Sequence, residues 1–285
     1  MTDSLLPADS PASFEGRTVV MSGGSRGIGL AIAVALAERG ANIVLLAKTD
    51  VPDPRLPGTI HTAVAEIEAA GGRAAGVIGD LRSDDDIARL VATAVDRFGG
   101  IDLCINNASV LNTSPTADLP MKRYDLMQQV NSRGTFALTQ ACLPHLTASD
   151  HSRVITLSPP LNLRPDWLGQ YPAYMLAKYG MSLLTLGFAA EFADRGIAAN
   201  CLWPETTIAT AAVQNLLGGD DATAHSRTPQ IMADAAVVLA AKPTDVTGLC
   251  FIDSDLVREA GVTDLAGYGG AEPLEYDLFV DPPTA

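Results

Sequence analysis

Short runs of apolar and β-branched residues alternate, along almost the whole chain, with longer stretches whose apolar positions recur at helical spacing. The strand-like runs are Thr18–Met21, Asn42–Ala47, Ala75–Ile78, Ile101–Ile105, Val154–Leu157, Ala198–Leu202 and Leu249–Ile252. Between them Gly27–Arg39, His61–Ala70, Ser83–Phe98, Pro120–Leu146, Pro172–Asp194 and Pro229–Ala241 read as helices. Strands joined through helices require crossover connections, which are right-handed and place helices on both faces of a parallel sheet. The pattern therefore predicts an α/β fold: a Rossmann-type, doubly wound parallel sheet of about seven strands. No internal repeat interrupts it.

Three segments fall outside the alternation. Residues 1–15 are rich in Ser, Pro and Asp and are expected to be a mobile tail, leaving 16–285 as a single domain. Thr49–Gly58 holds three prolines and reads as a rigid, extended connection. Glu205–Thr228 follows the sixth strand and carries the pair Gly218-Gly219. Ligands of open parallel sheets bind beyond the carboxyl ends of the strands, so this segment is expected to be a lid.

Composition narrows the function. Nineteen basic against 33 acidic residues give a net charge of −14, which disfavours nucleic acid and anionic membranes as partners. No apolar stretch is long enough to span a bilayer, and the N-terminus has no secretory pattern. Cys104, Cys142, Cys201 and Cys250 are scattered within apolar runs, as in reduced, cytoplasmic proteins. The four histidines show no metal-ligand spacing, so no metal is expected.

Candidate chemistry begins where the first strand runs into Ser22-Gly23-Gly24-Ser25-Arg26-Gly27-Ile28-Gly29 and then a helix. Glycines there permit a tight turn and close approach of backbone to a pyrophosphate, and the free N–H groups of the helix start attract it. The spacing is GxxxGxG. About 150 residues later Tyr174 and Lys178 stand at i and i+4, on one helix face. A nearby ammonium, together with a positive nicotinamide, favours a phenolate and lowers its pKa, which would make Tyr174 an acid/base. Lys48 ends the second strand, where an acidic residue would accept hydrogen bonds from an adenosine ribose. A lysine welcomes a 2′-phosphate instead, with Arg26 as a second cation and Ser25 as a donor. NADP is expected, with NAD as the other possibility.

This set, with Asn106-Asn107-Ala108-Ser109 after the fourth strand, resembles the short-chain dehydrogenase/reductase family over nearly the whole chain. The resemblance implies an oxidoreductase interconverting a carbonyl and an alcohol, working as a homodimer or homotetramer. It implies that Gly23, Ser25, Arg26, Gly27, Ile28 and Gly29 hold the pyrophosphate, that Asp80 and Leu81 meet the adenine, and that Asn107 lines the adenosine and ribose region. Lys178 would also hold the nicotinamide ribose, Asn131 a water that links Lys178 to solvent, and Pro204 and Thr206 the carboxamide. Family members end the fifth strand in Ser-Ser, the second serine polarising the substrate oxygen. Here the strand ends Thr156-Leu157-Ser158-Pro159-Pro160, so Ser158 falls on the first serine and Pro159 on the second. Ser158 is one candidate for the missing donor and Asn162 another. The expected substrate is apolar: steroid-, fatty-acyl- or terpenoid-like. Two alternatives stand beside this one, a reductase of carrier-bound 3-oxoacyl groups and a non-catalytic binding protein of the same fold.

Overall fold

In a computed structural model, described for residues 3–7, 13–53, 58–216 and 218–282, seven parallel strands form one sheet in the order β3-β2-β1-β4-β5-β6-β7. They are β1 (Thr18–Ser22), β2 (Asn42–Ala47), β3 (Arg73–Ile78), β4 (Leu103–Asn106), β5 (Arg153–Leu157), β6 (Ala198–Trp203) and β7 (Cys250–Ile252). Successive residues of β1 show why such runs are apolar throughout. Val19 and Met21 enter one hydrophobic layer while Val20 enters the other, so both faces are dry. On the first face lie α1 (Gly27–Ala37), α2 (Ile60–Ala69), α10 (Gln230–Ala241) and α11 (Asp253–Glu259). On the second lie α3 (Asp84–Phe98), α5 (Gly134–Thr147) and α7 (Pro172–Glu191).

Helix ends follow local chemistry. Thr59 and Thr62 close α2 with a reciprocal capping box, and Ser83 caps α3 ahead of Asp84, Asp85 and Asp86. Gly99 ends α3 at φ 89°, where a side chain would be strained. No side chain caps the start of α1, as at α5, α7, α10 and α11.

The stretch expected as one helix over Pro120–Leu146 is three pieces: α4 (Met121–Gln128), a π turn (Gln129–Arg133) and α5. The extra residue of the π turn brings Asn131 fully inside. Short helices absent from the sequence pattern are α6 (Pro165–Gln170), α8 (Ala211–Leu216) and α9 (Gly219–Ala224), each too brief to show periodicity. Residues 54–57 of the proline-rich connection lie outside the described residues.

Residues 3–7, within the segment expected to be mobile, are placed against α10; 8–12 lie outside the described residues. The anchor is the buried Asp234 carboxylate on α10, which accepts from Ser4 Oγ at 2.8 Å, Leu5 N at 3.0 Å, Gln230 Nε2 at 2.9 Å and Tyr268 Oη at 2.7 Å. Replacing it by Ala leaves four donors without their acceptor. Asp234→Ala is expected to lose about 3–5 kcal/mol of stability in urea unfolding, with residues 3–7 becoming the first site of proteolytic cleavage. A loss below 1 kcal/mol would show that these donors find water at no cost.

Candidate active site

The strand order reverses between β1 and β4, and a groove opens there at the carboxyl ends of the strands. The end of β4 is bolted to the end of β1. Asn107 Nδ2 donates to the carbonyls of Ser22 at 3.0 Å and Gly23 at 2.7 Å, and Ala108 N donates to Ser22 Oγ at 3.2 Å. Gly23 has φ 77°, and a Cβ on it would lie 2.9 Å from Ala108 Cα, so only glycine fits. Gly29, against the Asn107 amide, is as tightly held. Ser25, Arg26, Gly27 and Ile28 line the groove between them, beside the uncapped start of α1. The result is a glycine cradle with free helical N–H groups, suited to a pyrophosphate.

Lys48, Asp80 and Leu81 line the same groove. Arg26 Nη2 donates to Gly58 O at 2.6 Å, while its Nε is buried without a partner among the described residues. Lys48 Nζ sits 2.9 Å from Asp80 Oδ2, with its side chain 64% exposed. Asp80 also meets Arg82 at 2.6 Å. The Arg82 guanidinium, and after it Lys48, hold the Asp80 carboxyl well below the usual carboxylate range.

Tyr174 and Lys178 lie on α7 as one face of the helix, and both are deeply buried. Lys178 Nζ donates to Leu157 O at 2.7 Å and stands 4.7 Å from the centre of the Trp203 ring. Burial pushes its pKa down to about 7, against the pull of Asp277. Burial pushes the Tyr174 phenol up, and Asp277 pushes it further; the Ser109 hydroxyl acts the other way. Desolvation outweighs the neighbouring groups at the phenol.

What buries the pair is the C-terminal segment. Residues 275–277 run antiparallel to 205–207, with Thr207 N donating to Glu275 O at 2.8 Å and Asp277 N to Glu205 O at 3.0 Å. Trp203 Nε1 donates to Leu278 O at 2.9 Å, and Asn162 Nδ2 to Phe279 O at 3.2 Å. Phe279 then stacks on Tyr174 at 6.2 Å and packs against Tyr179 and Trp167.

Residues 17–219 match the family model described as short chain dehydrogenase. The chain belongs to the short-chain dehydrogenase family. It is 48% identical over 269 residues to hydroxysteroid dehydrogenase-like protein 2 of Danio rerio, covering 93% of this chain and 64% of that protein. The chain therefore spans a little under two thirds of that relative. A short-chain dehydrogenase from Mycobacterium thermoresistibile is 52% identical in structure-based comparison, with TM-score 0.90 and 96% and 98% of the two chains covered. More distant structures carry either cofactor. NADH-dependent reductase A1-R′ with NAD is 26% identical (TM-score 0.68; 84% and 95% covered). A Beutenbergia cavernae structure with bound NADP is 27% identical (TM-score 0.73; 86% and 97% covered).

This dehydrogenase departs from the expected site at four places. Ser158 is fully buried, its Oγ has no hydrogen-bond partner among the described residues, and neither it nor Pro159 lines the groove. Asn162 is committed to the C-terminal segment, so it too is placed away from a substrate oxygen. The Asn131 side chain is spent on Val110, its Oδ1 accepting from Val110 N at 2.8 Å and its Nδ2 donating to Val110 O at 3.1 Å. Only its main chain remains for a water. Pro204 and Thr206 are buried outside the groove, because backbone pairing with residues 275–277 turns 205–207 away. From the expected lid, Thr210 reaches the glycine loop in their stead, with its methyl 3.4 Å from where a Gly27 Cβ would stand. Ala209–Ala212 and Asn215 border the groove beside it. Sequence reasoning missed Thr210, Ser109 and the whole 274–281 segment. Only the serine in place of glycine after Asn106-Asn107-Ala108 was a visible signal.

Asp253 supports this arrangement from below, its Oδ1 accepting from Glu205 N at 2.9 Å and Ser254 N at 2.6 Å. Its Oδ2 is buried without a partner, and burial pushes the carboxyl from 3.8 up to about 7. Between those pH values the folded chain keeps a proton that the unfolded chain releases, so stability falls as pH rises through the window, by up to about 1.4 kcal/mol per unit. Asp253→Asn keeps the accepting oxygen and cannot ionise. It is expected to match the wild type near pH 4 and to exceed it by about 1–3 kcal/mol at pH 8 in chemical unfolding. Parallel curves for the two proteins would exclude Asp253 as the source.

Proposed function

We propose that the chain is an NADP(H)-dependent oxidoreductase that interconverts a carbonyl and an alcohol on an apolar substrate, with Tyr174 giving or taking the proton. One observation carries the reading: Tyr174 packs in one cluster with Val110, which lines the groove that holds the glycine cradle, Arg26 and Lys48. The residues fit a dinucleotide. The cradle has no room for a Cβ, the helix start is uncapped, and Arg26 Nε lacks a partner. Gly23, Ser25, Gly27, Ile28 and Gly29 would hold the pyrophosphate, Asp80, Leu81 and Asn107 the adenosine, and Lys48 and Arg26 a 2′-phosphate. When bound, the cofactor supplies or accepts the hydride.

The chain's own residues do the rest. Tyr174 O–H is the proton source for a carbonyl oxygen, and Lys178, one turn along the same helix face, restores it. The wall beyond Ser109 is Val110, Leu126 and Val130, and behind Tyr174 stand Trp203, Phe279 and Tyr179. Surroundings so apolar suit a hydrophobic carbonyl and exclude water from the proton transfer.

Tyr174→Phe removes only the hydroxyl. Turnover of an apolar diketone such as phenanthrenequinone with NADPH is expected to fall about 10²–10⁴-fold while cofactor affinity holds. Near-normal turnover would rule Tyr174 out. Lys48→Asp tests the cofactor. One charge-assisted contact with the 2′-phosphate is worth about 1.5–3 kcal/mol, a factor of roughly 10 to 150. NADP affinity is expected to drop by at least that factor and NAD affinity to hold or rise. Titrations giving an unchanged ratio of the two dissociation constants would place the 2′-phosphate elsewhere.

A further inference from the structure

An acid/base must be reached by its substrate, yet Tyr174 is 5% exposed and lines neither the cofactor groove nor the cavity on its other side. Phe279 stands between the phenol and that second cavity. Its ring stacks on the Tyr174 ring at 6.2 Å and 27°, and the same residue lines the cavity, which has a volume of about 570 Å³. The size is that of a small-molecule site. Leu161, Leu163, Ile252 and Val280 make the rest of its apolar wall. A ligand-sized apolar space therefore ends on the residue that covers the phenol.

The cover is firmly tied at one end only. Thr207 N donates to Glu275 O at 2.8 Å and Asp277 N to Glu205 O at 3.0 Å, so residues 275–277 are held by main-chain pairing. Beyond Asp277 that pairing stops, and among the described residues only side chains hold 278–281 to the body of the protein. Trp203 Nε1 donates to Leu278 O at 2.9 Å, and Asn162 Nδ2 to Phe279 O at 3.2 Å. At the tip, Asp281 accepts from Trp167 Nε1 at 2.8 Å and Asn162 Nδ2 at 3.0 Å, and pairs with Arg164 at 3.3 Å. The Asp281 side chain is 41% exposed, and exposed contacts of this kind are individually weak. Phe279 is also the one non-glycine residue at positive φ among the described residues, at 71°, a conformation that a side chain keeps only under constraint.

We propose that residues 278–281 are a strap whose Phe279 ring holds the place of the substrate. The strap swings out beyond Asp277, and the apolar body of a carbonyl compound or alcohol enters through the second cavity to lie on Tyr174. The proposal rests on Tyr174 being the acid/base. Asn162, Arg164 and Trp167 act as the catch, which explains why Asn162 is turned to the C-terminal segment rather than to the groove. The occupant is apolar because Phe279 leaves behind it the rings of Tyr174, Tyr179 and Trp167. A ligand that binds only the open form is weakened by the closed fraction, so loosening the catch tightens binding.

Both tryptophans of the chain donate their indole N–H to the strap, and they report it without turnover. Nitrogen NMR of the full chain labelled at the indoles gives two resonances, told apart by Trp167→Phe. With NADP⁺ bound, which has no hydride to give, added phenanthrenequinone is expected to move both. Asp281→Ala changes only an exposed tip and should fold. It is expected to carry the Trp203 resonance part of the way towards its quinone-bound position with no quinone present. With NADPH, its KM for phenanthrenequinone is expected to fall about 2–10-fold, the weight of one hydrogen bond in the catch, with a smaller change in kcat. A merely structural segment would leave KM unchanged or raise it. Indole resonances unmoved by quinone in both proteins overturn the proposal, as does an Asp281→Ala KM that stays or rises. If Tyr174→Phe keeps turnover, the acid/base reading fails first, and the indole titration still decides whether a ligand displaces the strap.

Discussion

The junction between the ends of β1 and β4 is the constraint on which the site depends. Asn107 spends its amide on the Ser22 and Gly23 carbonyls, which locks the first strand's exit to the fourth strand's exit at the point where the sheet order reverses. That contact is possible only because Gly23 and Gly29 have no side chains. The glycine cradle on one side and Ser109 on the other are thus positioned by the same few atoms. The π turn extends the lock, since it turns Asn131 inward to grip Val110. A regular helix over the same residues would rotate that amide away. The glycine loop and the groove wall at Ser109 and Val110 are therefore not placed independently.

Against this rigid floor, the 274–281 segment forms a cover of different character. It is held by backbone pairing to 205–207, by Trp203 and Asn162, and by the aromatic packing of Phe279. Desolvating Tyr174 and Lys178 so fully has a chemical cost, visible in a phenol pushed up and an ammonium pushed down to about 7. The same dry surroundings would make any hydrogen bond to the phenolic oxygen count for more than in an open, wet cleft.

The fold was legible because its signals are local. Seven apolar runs, helices between them and a glycine turn after the first strand need only periodicity and turn chemistry to be recognised. Strand positions accordingly agree within one or two residues. What escaped is long-range. The π turn is invisible in spacing because its cause is Val110, more than a helix away along the chain. Thr206 reads as a cofactor contact by its distance from β6, until residues 275–277 pair with it from the far end of the chain. Ser158 kept its place in sequence but not its access, for the same reason that Tyr174 is buried: burial is set by what packs over a residue, and no window of sequence around it contains that.

Charge shows the same difference between chain and site. A net charge of −14 describes the whole molecule, yet charges separated by more than about 8 Å are largely screened at physiological salt. At the second strand's end Lys48 and Arg82 both meet the Asp80 carboxylate, Asp86 accepts from the Asp80 backbone N–H, and Arg26 lines the same groove. Asp80 is chiefly the partner of Arg82, which is the stronger influence on it, so the Lys48 ammonium is only shared with it and stays mostly exposed. Arg26 reaches the same groove with an unpartnered Nε. An acidic surface repels polyanions that must contact it broadly, whereas one phosphate entering the groove meets Lys48 and Arg26 in its wall. Selectivity between a small dianionic ligand and a nucleic acid follows from that difference in scale.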